Sequence, residues 1–145
     1  MATIRIATAK TFLLSIFLGV FLLSGLNSCG KRVSPNKVDR VIVKGSWRIT
    51  SFLYEDNNIE GSYNAITLGF GKSGSLTVLP STGISGSWEL GISKKPSLLY
   101  ISGFFDPLFF ILNEDWEVVS CSNKIILLES QNGAFLNQIT LRKVE

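Results

Sequence analysis

The sequence predicts an all-β domain: an antiparallel up-and-down meander of about eight strands that closes into a small barrel. From Gly45 onward, apolar and polar residues alternate in short runs, which is the period of a half-buried strand. Turn-forming residues separate these runs, as in 55–61, 71–74 and 131–133. Between the N-terminal apolar segment and the last residue, no window outside 29–44 is long and periodic enough for a helix. A meander of this size removes its exposed edges by closing on itself.

Residues 1–28 have the pattern of a secretory signal peptide. Arg5 and Lys10 provide a basic start, and residues 12–26 are apolar apart from small side chains. A helix needs about 20 apolar residues to span a bilayer, so this shorter run fits a cleaved signal better than a permanent transmembrane anchor.

Residues 26–30, L-N-S-C-G, resemble the lipobox of bacterial lipoproteins. In that motif, a branched apolar residue three positions before a cysteine and a small residue directly before it guide acylation and cleavage. The resemblance implies that Cys29 becomes the lipid-modified first residue of the mature chain, held firmly in the membrane. An unmodified Cys29 after an uncleaved signal is the alternative. Gly30 is not the aspartate of an inner-membrane retention signal, so we expect the outer membrane of a Gram-negative cell.

Charge is distributed unevenly along the mature chain. The formal charge of +3 becomes +1 when the two basic residues of the signal are removed. Residues 31–44 carry five basic residues against Asp39, whereas 45–145 carry seven basic and ten acidic residues. We expect 29–44 to be a solvated basic tether, a role compatible with contact to anionic headgroups. Because the barrel segment is acidic, nucleic-acid binding finds no support.

Eight runs carry the strand pattern. In the first, simple alternation puts Trp47 and Leu53 on one face and Phe52 on the other. Cys121, near the sixth run, is expected to be a small buried apolar residue. The predicted strands are 47–54, 66–70, 76–78, 88–90, 98–102, 116–119, 125–129 and 135–143.

Two near-motifs are interpreted as hairpin turns. Residues 68–76, LGFGKSGSL, contain G-x-G-x-x-G and G-K-S, but a β-period segment ending at Pro80 follows instead of a phosphate-binding helix. Residues 56–61, DNNIEG, resemble half of a calcium loop, yet Thr67 stands where the closing glutamate belongs. We therefore predict neither a nucleotide site nor a metal site, and no cofactor.

The tripeptide G-S-W occurs twice, at 45–47 and 86–88. Between the copies, an aromatic strand runs into a glycine hairpin over 66–74, and a W-x-V strand at 116–118 and a final alternating strand at 139–143 follow. In these features the chain resembles the lipocalin-like domains of bacterial envelope lipoproteins.

The resemblance implies a lipocalin-like barrel over 45–145. In lipocalins, the tryptophan of the first G-x-W motif closes one barrel end and packs under an arginine near the C-terminus. Trp47 matches that tryptophan by motif, and Arg142 matches the arginine by position.

The candidate contact residues are aromatic. In FFDPLFFIL, residues 104–112, Pro107 interrupts the apolar run, so we expect a loop that enters a strand. Its phenylalanines are hard to bury together, and an exposed cluster would contact a ligand, a membrane or a partner. Two tryptophans are either core residues or further contacts. The full candidate set is Phe104, Phe105, Phe109, Phe110, Trp88 and Trp116.

Catalysis finds little support. The chain has no histidine, the commonest general base and metal ligand. Glu114, Asp115 and Glu117 are adjacent acids that point in different directions, and Cys121 lacks an activating base. We therefore predict no catalytic residues.

Two functions remain. The first is a lipid-anchored envelope protein whose barrel binds a small apolar ligand. The alternative is a barrel with a filled interior that docks on another envelope protein, as an inhibitor or assembly accessory. A binding barrel needs interior space, whereas a docking module fills it with large side chains.

Overall fold

The structure is a computed structural model that describes residues 33–80, 83–92 and 96–144, all of which belong to one compact unit. The predicted signal peptide, 1–28, and the predicted lipid attachment site, Cys29, lie outside the described residues. Within the described ranges, no helix has both the length and the apolar character needed to cross a membrane.

One helix, nine strands and two short 3₁₀ turns make up these ranges. The helix α1 is Pro35–Ile42, and the 3₁₀ turns are Glu60–Tyr63 and Phe110–Leu112. All eight predicted runs are strands, and β2 is an addition to them. The strands are β1 Ser46–Tyr54, β2 Asn57–Asn58, β3 Thr67–Phe70, β4 Ser75–Leu79, β5 Ser85–Leu90, β6 Leu98–Ser102, β7 Asp115–Cys121, β8 Ile125–Asn132 and β9 Phe135–Lys143.

Eight of the strands form a closed antiparallel barrel. β1 pairs with β3, each strand from β3 to β9 pairs with the next, and β9 returns to pair with β1. The β1–β9 seam runs from Trp47 opposite Lys143 to Leu53 opposite Gln138, and β2 pairs only with the end of β1. The predicted up-and-down barrel is confirmed.

The barrel has two ends, named here by what lies on them. The helix end carries α1, the start of β1 and the connections after β3, β5 and β7. The loop end carries the β1–β2 turn and the connections after β4, β6 and β8. Because neighbouring strands are antiparallel, alternate connections meet at the same end although they are distant in sequence.

The segment before β1 is a helix that packs on the barrel, so the prediction of a solvated tether is wrong from Val33 onward. Pro35 occupies the first helical turn, where its missing N–H is not needed. Apolar residues three and four positions apart share one helical face, and that face is buried in the barrel core. The buried residues of α1 are Val38, Val41 and Ile42.

Trp47 joins α1 to the barrel. Its side chain is fully buried, and its Nε1 donates a hydrogen bond of 2.7 Å to the carbonyl of Ile42, the last residue of α1. Gly45 makes the sharp connection between them with a φ of 97°, a conformation that favours glycine. The first G-S-W therefore serves the contact between helix and strand.

Two β-bulges change which side chains point into the barrel. In β1 the register with β9 shifts between Ile49 and Ser51, so Phe52 is buried and Leu53 is not. The predicted face of β1 is therefore wrong beyond Thr50. In β7 a similar shift between Val118 and Ser120 turns Cys121 inward, and its burial is confirmed.

Both near-motifs form turns, as predicted. Residues 71–74 connect β3 to β4, and Gly74 has a φ of 84°, so the glycines serve a hairpin. The acidic motif spans part of the β1–β2 turn, β2 and a 3₁₀ turn. Glu55 and Asp56 both have positive φ in this two-residue turn.

Candidate functional site

The barrel interior is filled with large apolar side chains. Every strand from β3 to β9, together with β1, contributes at least one residue that is less than a tenth exposed. Aromatic and branched residues dominate, which is the composition expected of a packed core. The principal interior residues are Trp47, Ile49, Phe52, Leu68, Phe70, Leu76, Val78, Trp88, Leu99, Ile101, Trp116, Val118, Ile126, Leu128, Ile139 and Leu141.

An aromatic cluster closes the loop end. It combines a residue of β1, a residue of the first 3₁₀ turn and two residues from the β6–β7 connection. The ring centroids of Phe52 and Tyr63 are 5.3 Å apart, those of Tyr63 and Phe109 6.0 Å, and those of Phe109 and Phe104 5.7 Å. Each of these side chains is at most 3 % exposed. The prediction of an exposed cluster is therefore wrong for Phe104 and Phe109.

Two phenylalanines of the same connection remain in solvent. The connection, residues 103–114, is called the aromatic loop below. Phe105 is 92 % exposed, Phe110 is 61 % exposed, and Leu108 between them is 38 % exposed. The aromatic loop thus contains two adjacent pairs, each with one buried and one exposed phenylalanine. In the second pair, the second 3₁₀ turn directs Phe109 inward and Phe110 outward. The 3₁₀ turn replaces the strand entry predicted for this segment.

Side-chain hydrogen bonds hold the base of the aromatic loop. Asn113 bonds both backbone groups of Phe104: its Oδ1 accepts from the Phe104 N–H at 3.0 Å, and its Nδ2 donates to the Phe104 carbonyl at 2.8 Å. This pair joins residues nine positions apart, so the loop is closed at its root as an Ω-type loop. No sequence pattern pointed to Asn113.

Two further residues fix the tip of the loop. The Asp106 carboxylate accepts a hydrogen bond from the Leu108 N–H at 2.9 Å, and the backbone carbonyl of Asp106 accepts from the Phe109 and Phe110 N–H groups. From across the barrel end, Tyr63 Oη donates to the Leu108 carbonyl at 2.6 Å. The exposed side chains therefore stand on a preorganised backbone.

Gly86 makes room for the buried half of the loop. A Cβ atom at this position would lie 2.9 Å from Cε2 of Phe104 and 2.7 Å from the Ser102 carbonyl oxygen. Any side chain here would push the Phe104 ring away. The second G-S-W therefore supports the aromatic loop, which the repeat alone did not indicate.

The predicted contact residues Trp88 and Trp116 are core residues. Trp116 is fully buried and Trp88 is 7 % exposed. The Nε1 of Trp88 donates to the Gly71 carbonyl, and that of Trp116 donates to the Leu112 carbonyl, each at 3.0 Å. Neither indole N–H is free for a ligand, so of the two roles considered for these tryptophans the structure shows the core role.

Arg142 does not cover Trp47. It lies on the outer face of β9, exposed, and is opposite Arg48 of β1. The neighbouring Leu141 points inward instead. The cover that the resemblance assigned to an arginine is supplied by α1, so this assignment is wrong.

A polar cluster ties the aromatic loop to β8 and β9. The Glu114 carboxylate accepts hydrogen bonds from Ser130 Oγ and from Asn137 Nδ2. Asn137 is fully buried, and its Oδ1 accepts from the Glu55 N–H at 3.0 Å. Burial raises the pKa of the adjacent Tyr54, and the carboxylates of Glu114 and Glu55 raise it further. The groups bond one another and hold the loop end together.

The described residues contain no group of three or more cysteine, aspartate and glutamate side chains placed to hold a metal ion. Burial raises the pKa of the Cys121 thiol, against a smaller opposite effect of Lys37. A thiol in this setting is a poor nucleophile.

Replacing Tyr63 with phenylalanine tests how firmly the loop is held. Burial, and then the Asp106 carboxylate, raise the pKa of Tyr63 from 10.0 to about 12. The stability linked to this neutral phenol is complete below pH ~10 and is lost as the pH rises through about 12. We expect Tyr63→Phe to lower the free energy of unfolding by about 1 kcal/mol near neutral pH, because a hydrogen bond is lost, and by less above pH ~11. Urea unfolding at both pH values measures this, and a pH-independent cost would contradict it.

Comparison of the chain with models of known protein families, with curated proteins and with solved structures finds no match in any of the three.

Proposed function

We propose that this protein is a non-catalytic, lipid-anchored module of the bacterial cell envelope, and that its packed, lipocalin-like barrel presents the aromatic loop to another envelope protein. The lipobox-like sequence around Cys29 supports the anchor and an outer-membrane location. The eight-stranded meander is compatible with the lipocalin-like resemblance.

One observation carries the docking role: Phe105 and Phe110 are solvent-exposed on a loop whose backbone is fixed by its own side chains. Burying a phenylalanine stabilises a protein by about 1.5–3 kcal/mol, which this fold does not gain at these two positions. Rigid aromatic side chains are favoured anchors at protein interfaces, because little conformational entropy is lost when they are buried. Leu108 adds an apolar surface between them.

A small apolar ligand inside the barrel, the other function, receives less support. The inner face is occupied by tryptophan, phenylalanine and branched side chains, and each end of the barrel is covered. α1 lies over Trp47 at the helix end, and the aromatic cluster covers the loop end. An open cleft lies outside the barrel, between the start of α1 and Ile92 after β5.

We expect Phe105→Ser combined with Phe110→Ser to abolish docking and to change the free energy of unfolding by less than about 0.5 kcal/mol, because both side chains are exposed. A photo-crosslinking amino acid at position 105 in intact cells should give one discrete protein adduct, which Phe110→Ser removes. Phe135 is the matched control, because it is an exposed aromatic residue at the same barrel end, and it should give no such adduct.

Absence of an adduct at position 105, or an equal pattern at position 135, would contradict docking through the aromatic loop. The intact mass of protein purified in mild detergent tests the other parts of the proposal. Acyl groups on Cys29 without another small molecule are the expected result. A tightly held apolar compound would favour the ligand-binding function, and an unmodified Cys29 would refute the anchor.

A further inference from the structure

Basic side chains gather at the helix end of the barrel. They come from α1 and its exit, the first half of β1, the β3–β4 and β7–β8 turns, and the last residues of β9. Seven are exposed and Lys143 is partly so. All the basic residues of the described ranges belong to this set: Lys37, Arg40, Lys44, Arg48, Lys72, Lys124, Arg142 and Lys143.

Acidic side chains gather at the opposite end. They lie in the β1–β2 turn, the first 3₁₀ turn, the aromatic loop and the start of β7. Asp39 on α1 and Glu89 on β5 are the acidic residues in the helix-end half of the described ranges, and Glu117 and Glu129 are near mid-barrel. The acidic residues of the loop end are Glu55, Asp56, Glu60, Asp106, Glu114 and Asp115.

The fold therefore turns a nearly neutral chain into an electrically polarised barrel. In the sequence, excess positive charge is evident only in 31–44. The antiparallel meander then brings Lys72, Lys124 and Arg142 to the end that α1 already occupies. Such a separated charge distribution orients a protein in an external field, as beside a charged surface.

The described part of the chain begins at this same end. The Val33 carbonyl accepts a hydrogen bond of 2.6 Å from Ser97 Oγ, and Ser97 directly precedes β6 at the helix end. Residues 30–32 separate Val33 from Cys29. An extended chain spans at most about 3.6 Å per residue, so the Cα atoms of Cys29 and Val33 lie within about 14 Å of each other. Lipid on Cys29 would keep the helix end near the headgroups.

We propose that the basic helix end is a docking surface for anionic lipid headgroups, and that it orients the barrel with the aromatic loop directed away from the anchoring membrane. Exposed basic residues near a bilayer are attracted to anionic lipids over about one Debye length. Acidic residues at the loop end are repelled by the same surface. The nine-residue β9 has a length of about 30 Å, so the aromatic loop would stand well clear of the headgroups. This inference rests on the proposed anchor, but not on the docking role of the loop.

The test measures which barrel end lies near the headgroups. Natively processed protein carrying Cys121→Ser receives a single fluorescent label at Ser73→Cys, in the β3–β4 turn, or at Ala134→Cys, in the β8–β9 turn. Each form is placed in vesicles of neutral phosphatidylcholine, with or without phosphatidylglycerol, that contain a nitroxide-labelled headgroup lipid. In anionic vesicles we expect quenching at position 73 to be several-fold stronger than at position 134.

Charge variants distinguish the effect of the basic surface from the effect of the lipid anchor. Lys124→Glu with Arg142→Glu should reduce quenching at position 73 to its level in neutral vesicles, whereas Glu60→Lys with Asp115→Lys should not reduce it. High salt should act like the first pair. Equal quenching at both label positions, or quenching at position 73 that ignores lipid charge and the Lys124 and Arg142 variants, would overturn the proposal.

Failure of the proposed function gives a different result. If Cys29 carries no lipid, the same chain is mixed with both vesicle types. Binding to the anionic vesicles and not to the neutral ones would support the basic helix end as a surface for anionic headgroups, and absence of binding to either would overturn that proposal. Phe105→Ser with Phe110→Ser should leave the quenching ratio unchanged, so a failed docking partner is not mistaken for a failed membrane contact.

Discussion

Replacing Trp47 with alanine is expected to lower the free energy of unfolding by about 3–5 kcal/mol, the usual cost of removing a fully buried tryptophan. Small domains have about 5–15 kcal/mol in total, so this change removes a large part of the stability. Two effects combine in it: a cavity opens at the helix end, and the Ile42 carbonyl loses its indole donor. Urea unfolding followed by tryptophan fluorescence measures the loss.

The same variant should also loosen α1, because the Trp47 indole donates a hydrogen bond to the last residue of α1. Cys121 is a built-in reporter of this motion, since it is buried at the end of β7 against α1. We expect thiol labelling of Cys121 to become many times faster in Trp47→Ala. Trp88→Ala, which removes another buried indole that does not contact α1 through a hydrogen bond, should destabilise the barrel without this local acceleration. Equal labelling in both variants would show that Trp47 is ordinary core.

The strands could be predicted from the sequence because period-two alternation survives wherever one face is buried. The bulges could not, because a single extra residue at Thr50 or Val119 reverses the alternation without changing composition. Simple alternation therefore places Phe52 on the face opposite Trp47, although it is one of the rings that close the loop end. The bulge in β1 therefore turns the Phe52 side chain inward, into the aromatic cluster.

The helix was missed for a different reason. Its eight residues include only three apolar ones, and its basic residues suggested solvation. Those basic residues do face solvent, but the spacing of Val38, Val41 and Ile42 produces one buried stripe. A charged segment can therefore be both the cap of a core and the exposed face that meets another surface.

The sequence predicts part of the candidate site. A run with four phenylalanines beside a proline indicates a surface that cannot all be buried, and Phe105 and Phe110 are exposed. Which pair would be buried depended on residues with no local signal. Tyr63 is 45 positions from its acceptor Leu108, and Asn137 is 23 positions from Glu114. Long-range hydrogen bonds of this kind leave no periodic trace in a single sequence.

Asn137→Leu is expected to lower the free energy of unfolding by about 2–4 kcal/mol although leucine is similar in size, because three hydrogen bonds to two residues are lost at once. The Glu55 N–H loses its acceptor, and the partly buried Glu114 carboxylate loses an amide donor. Gln138→Leu is the matched control: Gln138 bonds the Glu129 carboxylate, and neither side chain is fully buried. That variant should cost less than about 1 kcal/mol. Urea midpoints of the two proteins measure the difference.

The consequence for function follows from where Glu114 lies. It is the last residue of the aromatic loop and directly follows Asn113, whose side chain closes the base of the loop. When the Glu114 carboxylate loses its Asn137 donor, we therefore expect the base of the loop to become more mobile. Amide hydrogen exchange in 104–113 should therefore quicken in Asn137→Leu more than exchange in the β3–β4 turn, and crosslinking from position 105 should weaken while Phe105 and Phe110 remain intact. If exchange rose equally at both places, Asn137 would contribute to global stability alone. A selective rise would mean that the polar cluster preorganises the docking surface, because rigidity of the loop is what makes two solvent-exposed phenylalanines an efficient anchor.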